Sequence, residues 1–425
     1  MVIGTGTPGK ALTRDQVREI VARAVASFDS TWRRLLVLIP DGTRTMPLPL
    51  MVDLLAEILG PRVDALDYLV ALGTHRPMTD EQLGRLLGRP VRDGRSGESR
   101  IFNHDGRNPA ALVRLGVIPA AEIAEITGGR LHEDVPVSLN RLILDYDAIL
   151  VCGPVFPHEV VGFSGGNKYF FPGIGGPEVI NLTHWLGALI SSFEVIGAGY
   201  TPVRAVIDRA ASLIDRPTAC FAAVVTPAGL EGLFFGSPHE AWQAAAALSA
   251  KVHVVWVDAP YRRVLSIMPA MYEDLWTAAK GMYKVEPAVA EGGEVVIYAP
   301  GLDEVSYSHG TAIDEIGYHC RDYFLAQWER FRHVAGGVLA HSTHLKGVGR
   351  YDAVTGVETP RIAVTLATAI PEDRCRRLNL GYLDPAAVDV DAWRGRESEG
   401  ILVVPRAGEM LYRVRPARNG REEAA

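Results

Sequence analysis

The chain has 425 residues, enough for two domains. Apolar residues make up 48% and charged residues 22%, the mix of a globular chain with a sizeable core. A net charge of -7 argues against a general nucleic-acid binder, and no apolar run is long enough to read as a membrane span. Cys152, Cys220, Cys320 and Cys375 stand far apart and form no CxxC pair, so neither a thiolate zinc site nor a disulfide framework is suggested. The N-terminus lacks the shape of a signal peptide. A reduced cytoplasm fits these features.

Residues 13–34 carry apolar residues at helical spacing, with Thr13 or Asp15 as a cap. Leu35–Ile39 is a short apolar run between that helix and a polar turn, which reads as a buried strand. A helix over 47–60 follows, then a second strand ending near Leu72, and a helix capped by Thr79. The third strand lies within 141–155. Strands alternating with helices predict a mainly parallel α/β sheet. Each of the three strands ends in a polar turn: Asp41–Arg44, Gly73–Arg76 and Pro157–Lys168. Ligands bind beyond the carboxyl ends of such strands, so the three turns are expected to converge.

Further on, helices are expected over 203–214 and 238–250, and strands over 220–226 and 252–259. A turn near Pro260–Arg263 sets the expected boundary. Residues 1–262 form an N-terminal cofactor-binding α/β domain, and 263–425 a smaller C-terminal α/β domain. The active site is expected in the cleft between them. In the second domain we expect a strand over 264–270, a helix over 272–290, a strand over 294–300, a helix near 327–334, and strands near 337–340 and 362–367. The charged tail from Arg415 reads as frayed.

The stretch Pro157–His184 carries the strongest chemical signal. It holds His158, His184, Lys168 and six glycines. Glycine runs bring backbone N–H groups close to a ligand. Histidines ligate metals or move protons near neutral pH. Gly165, Gly166 and Lys168 do not meet the P-loop pattern, because Asn167 precedes the lysine and Tyr169 follows it. His75 follows a strand, as do Asp41 and Arg44. Arg44 is suited to grip a carboxylate in a bidentate fork, and the bland alternative for 41–44 is a turn with a local ion pair. Trp276 and Lys280 are spaced to share a helix face, with a lysine at a helix end as the plain alternative. Residues alone leave two readings open. A zinc hydrolase would use His75, His158 and His184 as ligands. A proton-transfer enzyme would use two of them as acid and base on opposite faces of a substrate.

The motif HEVVGFSGGNKYFFPGI followed by His184, together with DGTR at 41–44, GTHRP around His75 and DLWTAAKGM around Lys280, resembles the nickel-pincer-nucleotide lactate racemases. The resemblance covers about residues 35–335. It implies a racemase or epimerase of 2-hydroxy acids. Lys168 takes the position of covalent cofactor attachment, and His184 that of the single protein ligand to a roughly square-planar nickel. His75 and His158 fall on the catalytic pair. Asp41, Thr43, Gly165 and Gly166 fall on the cofactor side. Arg44, Lys280, Thr277, Trp276 and Trp328 fall on the substrate side. The implied chemistry is transient transfer of the Cα hydride to the pincer, with the two histidines alternating as base and acid. Cofactor-synthesis proteins are implied for loading. Thr277 and Trp276 replace the glutamine and tyrosine of lactate-using members, so the reading extends to 2-hydroxy acids and not to lactate.

Overall fold

A computed structural model describes residues 1–416 of the chain. Two compact units emerge. The first comprises Met1–His253, Tyr307–His309 and Arg332–His341, and the second the described remainder.

The first unit is organised by an eight-stranded sheet. From edge to edge its strands are Ile3–Gly6, Gly229–Gly236, Thr218–Thr226, Ala148–Pro154, Arg34–Ile39, Ala65–Val70, Ser99–Asn103 and Arg95–Ser96. The five from Thr218–Thr226 to Ser99–Asn103 run parallel. This mixed, mainly parallel α/β architecture matches the expected class.

Leu35–Ile39 shows why a continuous apolar run makes such a strand. Leu36 and Leu38 enter one hydrophobic core, whereas Leu35, Val37 and Ile39 enter the core on the opposite face. Side chains alternate across a strand, so a strand covered on both faces has no polar positions. Burying each such side chain contributes roughly 1.5–3 kcal/mol. The helix Arg14–Ala26 covers the second face with Val17, Ile20, Val21, Ala24 and Val25. It begins at a capping box in which Thr13 and Gln16 satisfy each other's backbone amides, and it stops eight residues before the end of the expected span.

Arg34–Ile39 lies between Ala65–Val70 and Ala148–Pro154, parallel to both. The turns that follow these three strands therefore leave the same end of three adjacent strands. That topology brings the candidate residues of this unit together.

The second unit holds a five-stranded parallel sheet in the order Gly381–Tyr382, Ala363–Thr368, Val289–Ala299, Tyr261–Ile267 and Ile401–Val404. The helix expected over 272–290 is broken into Leu275–Ala278, Lys280–Tyr283 and a 3-10 turn Glu286–Ala288. Pro287 interrupts further helix, and the strand starts at Val289. Residues 337–340, expected as a strand, lie in the helix Gly336–Lys346. Every residue from Val338 to Leu345 is buried, so no polar face marks the helical period. Arg415 is not frayed: its N–H donates to the Val257 carbonyl at 2.8 Å and its Nε to Asp258 at 3.0 Å. The rest of the tail, 417–425, lies outside the described residues. Among the described residues no helix is long and apolar enough to cross a membrane.

Candidate active site

The first turn begins at Pro40, which has no N–H to continue the ladder. Asp41 follows and is only 6% exposed. Its Oδ1 accepts from the Thr43 backbone N–H at 2.9 Å and from Thr43 Oγ1 at 2.6 Å. Its Oδ2 meets Nδ1 of His75, from the turn of the neighbouring strand. Arg44 donates from Nη1 to Thr43 Oγ1 at 2.8 Å and stacks its guanidinium over Phe156 at 5.5 Å. Burial alone would raise the Asp41 carboxyl. The facing imidazole, the Arg44 charge and the Thr43 hydroxyl overrule that and hold it well below the usual carboxylate range. Asp41 is thus a carboxylate spent on Thr43 and His75.

The second turn places His75 through its N–H, which donates to the Leu72 carbonyl at 2.9 Å. The third turn starts with a two-residue hairpin in which Pro157–His158 pairs with Gly162–Phe163. His158 is 4% exposed. Its Nδ1 accepts from the Val160 backbone N–H at 3.2 Å and lies 3.4 Å from Oε2 of Glu159.

Lys168 sits in the 3-10 turn Gly166–Tyr169. Gly165 and Gly166 have φ of +85° and +60°, where side chains are strained. A Cβ on Gly166 would stand 2.7 Å from the Pro238 carbonyl oxygen and from Trp242 Cβ. These glycines are required for packing of the turn itself. Burial, then the Arg44 charge, push the Lys168 ammonium down to about 7, with Arg204 adding to the effect and Glu159 and Asp41 opposing it. Arg204 is fully buried and grips the same loop. It donates to the Gly165 carbonyl at 2.9 Å and to that of Phe163, and stacks on Trp242 at 4.2 Å. Asn167 donates to Asp208 at 2.9 Å, which in turn meets His239 at 3.0 Å.

His184 lies on the helix Pro177–Ile190 and its Nδ1 donates to the Ile180 carbonyl at 2.7 Å. That bond fixes the proton on Nδ1, which puts the ring's lone pair on Nε2. The structure therefore links Asp41, Thr43, Arg44, His75, Lys168 and, through Glu159, His158. Among the described residues no three His, Cys, Asp or Glu side chains gather as a metal site. The alternative of a zinc hydrolase with His75, His158 and His184 as joint ligands is corrected on that geometry.

In the second unit Trp276, Thr277 and Lys280 are all buried. The Thr277 hydroxyl donates to Asp274 Oδ1 at 2.8 Å, so it serves the cap of its own turn. Lys280 Nζ donates to the Thr277 carbonyl at 3.1 Å and lies 4.9 Å from the centre of the Tyr272 ring. Trp328 is 37% exposed at the start of the short helix Trp328–Phe331. Glu159, Arg204 and Tyr272 were not singled out from the sequence. Glu159 had one available signal, its adjacency to His158.

Residues 9–196 match the family model described as the lactate racemase N-terminal domain. The lactate racemase of Thermoanaerobacterium thermosaccharolyticum is 24% identical over 288 residues, covering 64% of this chain and 61% of that protein. That of Lactiplantibacillus plantarum is 27% identical over 152 residues, covering 35% and 32%. The chain thus matches less than two thirds of the length of these curated relatives. A crystal structure of a Thermotoga maritima protein superposes with a TM-score of 0.88 at 33% identity, covering 96% of this chain and all of the other. The T. thermosaccharolyticum lactate racemase apoprotein shares the fold, with a TM-score of 0.70 at 17% identity over 97% of this chain. Residues 9–196 thus match the lactate racemase N-terminal domain, and the chain is similar to lactate racemases.

Proposed function

We propose that this chain is an isomerase that racemises or epimerises a 2-hydroxy acid, with a nickel-pincer nucleotide tethered at Lys168 and held through nickel by His184. One observation carries the reading. A lysine whose ammonium is pushed down to about 7 lies in the field of two carboxylates, Asp41 and Glu159, each set against a histidine, His75 and His158.

The donor set fits the cofactor. An amine that is half neutral near pH 7 is a competent nucleophile that would attack a thiocarboxylic acid carbon, the C–N bond forming as water leaves to give a thioamide. Nε2 of His184, backed by a carbonyl on Nδ1, is a suitable nickel ligand. When bound, the nickel-pincer nucleotide supplies the acceptor for the substrate's Cα hydride.

The rest is work for the protein. One histidine takes the hydroxyl proton as the Cα–H bond breaks, and the other returns a proton when the opposite face is rebuilt. Arg44 and Lys280 are the cations assigned to the substrate carboxylate. Asp41 and Glu159 are set against the Nδ1 atoms of the two imidazoles and position them. Thr43, Gly165 and Gly166 shape the turns that carry Asp41 and Lys168. Trp276 and Trp328 are assigned to the substrate side, with no particular 2-hydroxy acid specified. Loading is assigned to separate cofactor-synthesis proteins.

The test is intact-protein mass and metal analysis after co-expression with those proteins. An added nucleotide-sized mass with nickel, absent from Lys168→Ala, supports the proposal. Neither mass nor nickel on wild-type chain under loading conditions overturns it.

A further inference from the structure

The two histidine–carboxylate pairs differ in which atom holds the proton. Asp41 is a carboxylate with every contact on it a donor: the Thr43 N–H, the Thr43 hydroxyl and His75 Nδ1. A carboxylate only accepts, so the facing Nδ1 carries the hydrogen. Neutral His75 then keeps its lone pair on Nε2. His158 is the reverse. Its Nδ1 receives the Val160 backbone N–H at 3.2 Å, and a backbone amide only donates. Neutral His158 therefore carries its hydrogen on Nε2. The Glu159 carboxylate, 3.4 Å from the same Nδ1, gains an ion pair only when a second proton arrives there.

We propose that Asp41 and the Val160 amide hold His75 and His158 in opposite tautomers, with His75 resting as the proton acceptor and His158 as the N–H donor of the pair. Asp41 and Glu159 are then positioning residues. The inference rests on the racemase reading for its use, and on the hydrogen bonds of this chain for its content. His75 keeps its Nδ1 proton in both charge states, because Asp41 faces that atom throughout. His158 must change. It delivers a proton from Nε2 only as the imidazolium, with Nδ1–H turned to Glu159 in place of the Val160 bond. To act as the base it must hold its proton on Nδ1 and give up that bond. Equal kcat/KM for two enantiomers is required by a racemisation constant of one, so the difference is hidden from that ratio and must be read on the imidazoles.

The experiment is two-bond 15N–1H correlation on the full, cofactor-free chain labelled with 15N-histidine, at a pH where both imidazoles are neutral. His75→Gln and His158→Gln spectra assign the two signals, and loss of each signal in turn also identifies it in the wild type. His75 is expected protonated on Nδ1 and His158 on Nε2. Asp41→Asn is expected to shift His75 toward the Nε2–H form, because the Asn amide can donate to Nδ1, while His158 stays unchanged. Matching tautomers in the wild type, or a His75 that ignores Asp41→Asn, overturns the proposal.

A second readout uses loaded enzyme. Asp41→Asn is expected to keep the cofactor mass and lose about 10³–10⁴-fold in kcat, as when an orienting Asp becomes Asn in a catalytic triad. Loss of the cofactor mass instead would assign Asp41 to the cofactor and overturn its positioning role. Opposite tautomers in a loaded wild-type chain that racemises no 2-hydroxy acid would support the tautomer assignment and sink the racemase reading alone.

Discussion

Lys168 provides the sharpest quantitative expectation. A free lysine, with a pKa of about 10.4, is neutral in roughly one molecule in 2,500 at pH 7. Lys168, pushed down to about 7, is neutral in about half. Its reactive fraction at neutral pH therefore exceeds that of an ordinary lysine by about 10³-fold. After burial, the largest cause is the Arg44 charge, so Arg44→Met is the perturbation of choice. Cofactor-free protein is pulsed with acetic anhydride from pH 5 to 10, and Lys168 acetylation is read by peptide mass spectrometry with exposed Lys10 as internal standard. The Lys168 midpoint is expected near pH 7, and higher in Arg44→Met. A midpoint near that of free lysine, or one that ignores Arg44→Met, would refute the electrostatic argument for a pre-activated amine.

Other consequences are equally direct. His75→Ala and His158→Ala, loaded normally, should each lower kcat by about 10²–10⁴-fold, the range for loss of a general acid or base; chiral chromatography of product checks this. His184→Ala should lose nickel while keeping the mass on Lys168, seen by metal analysis beside intact mass. Gly166→Ala forces a Cβ to within 2.7 Å of the Pro238 carbonyl at a φ of +60°, and should cost about 1–3 kcal/mol in denaturant unfolding. Asp41 has a depressed folded pKa, so its contribution to stability is fully present above the ordinary value of about 3.9 and declines as pH falls below it. Asp41→Asn should remove that part of the acid limb in unfolding experiments from pH 5 to 2.

Much of the first sheet was legible because a parallel strand buried on both faces leaves an uninterrupted apolar run, as in Leu35–Ile39. The three polar turns after such runs pointed to one end of one sheet, and adjacency of the strands supplied the rest. The Asp41–His75 contact was not legible, since it joins turns 34 residues apart that only strand order makes neighbours. Arg204 was hidden for a similar reason: it reaches the Lys168 loop from the helix Pro202–Ala211. The return of 307–309 and 332–341 to the first unit carries no local signal either. Gly336–Lys346 misled because continuous burial erases the 3.6-residue period. Thr277 was legible as a departure from a pattern, but its bond to Asp274 needed coordinates.

The most direct test of the account is stereochemical. Loaded protein is incubated with single enantiomers of a panel of 2-hydroxy acids, and the enantiomeric composition is followed by chiral chromatography. At least one acid should approach its equilibrium mixture from either enantiomer, at the same rate constants for wild type prepared with nickel and not at all for Lys168→Ala. A chain carrying both the cofactor mass and nickel that leaves every enantiomer of the panel unchanged would contradict the central claim.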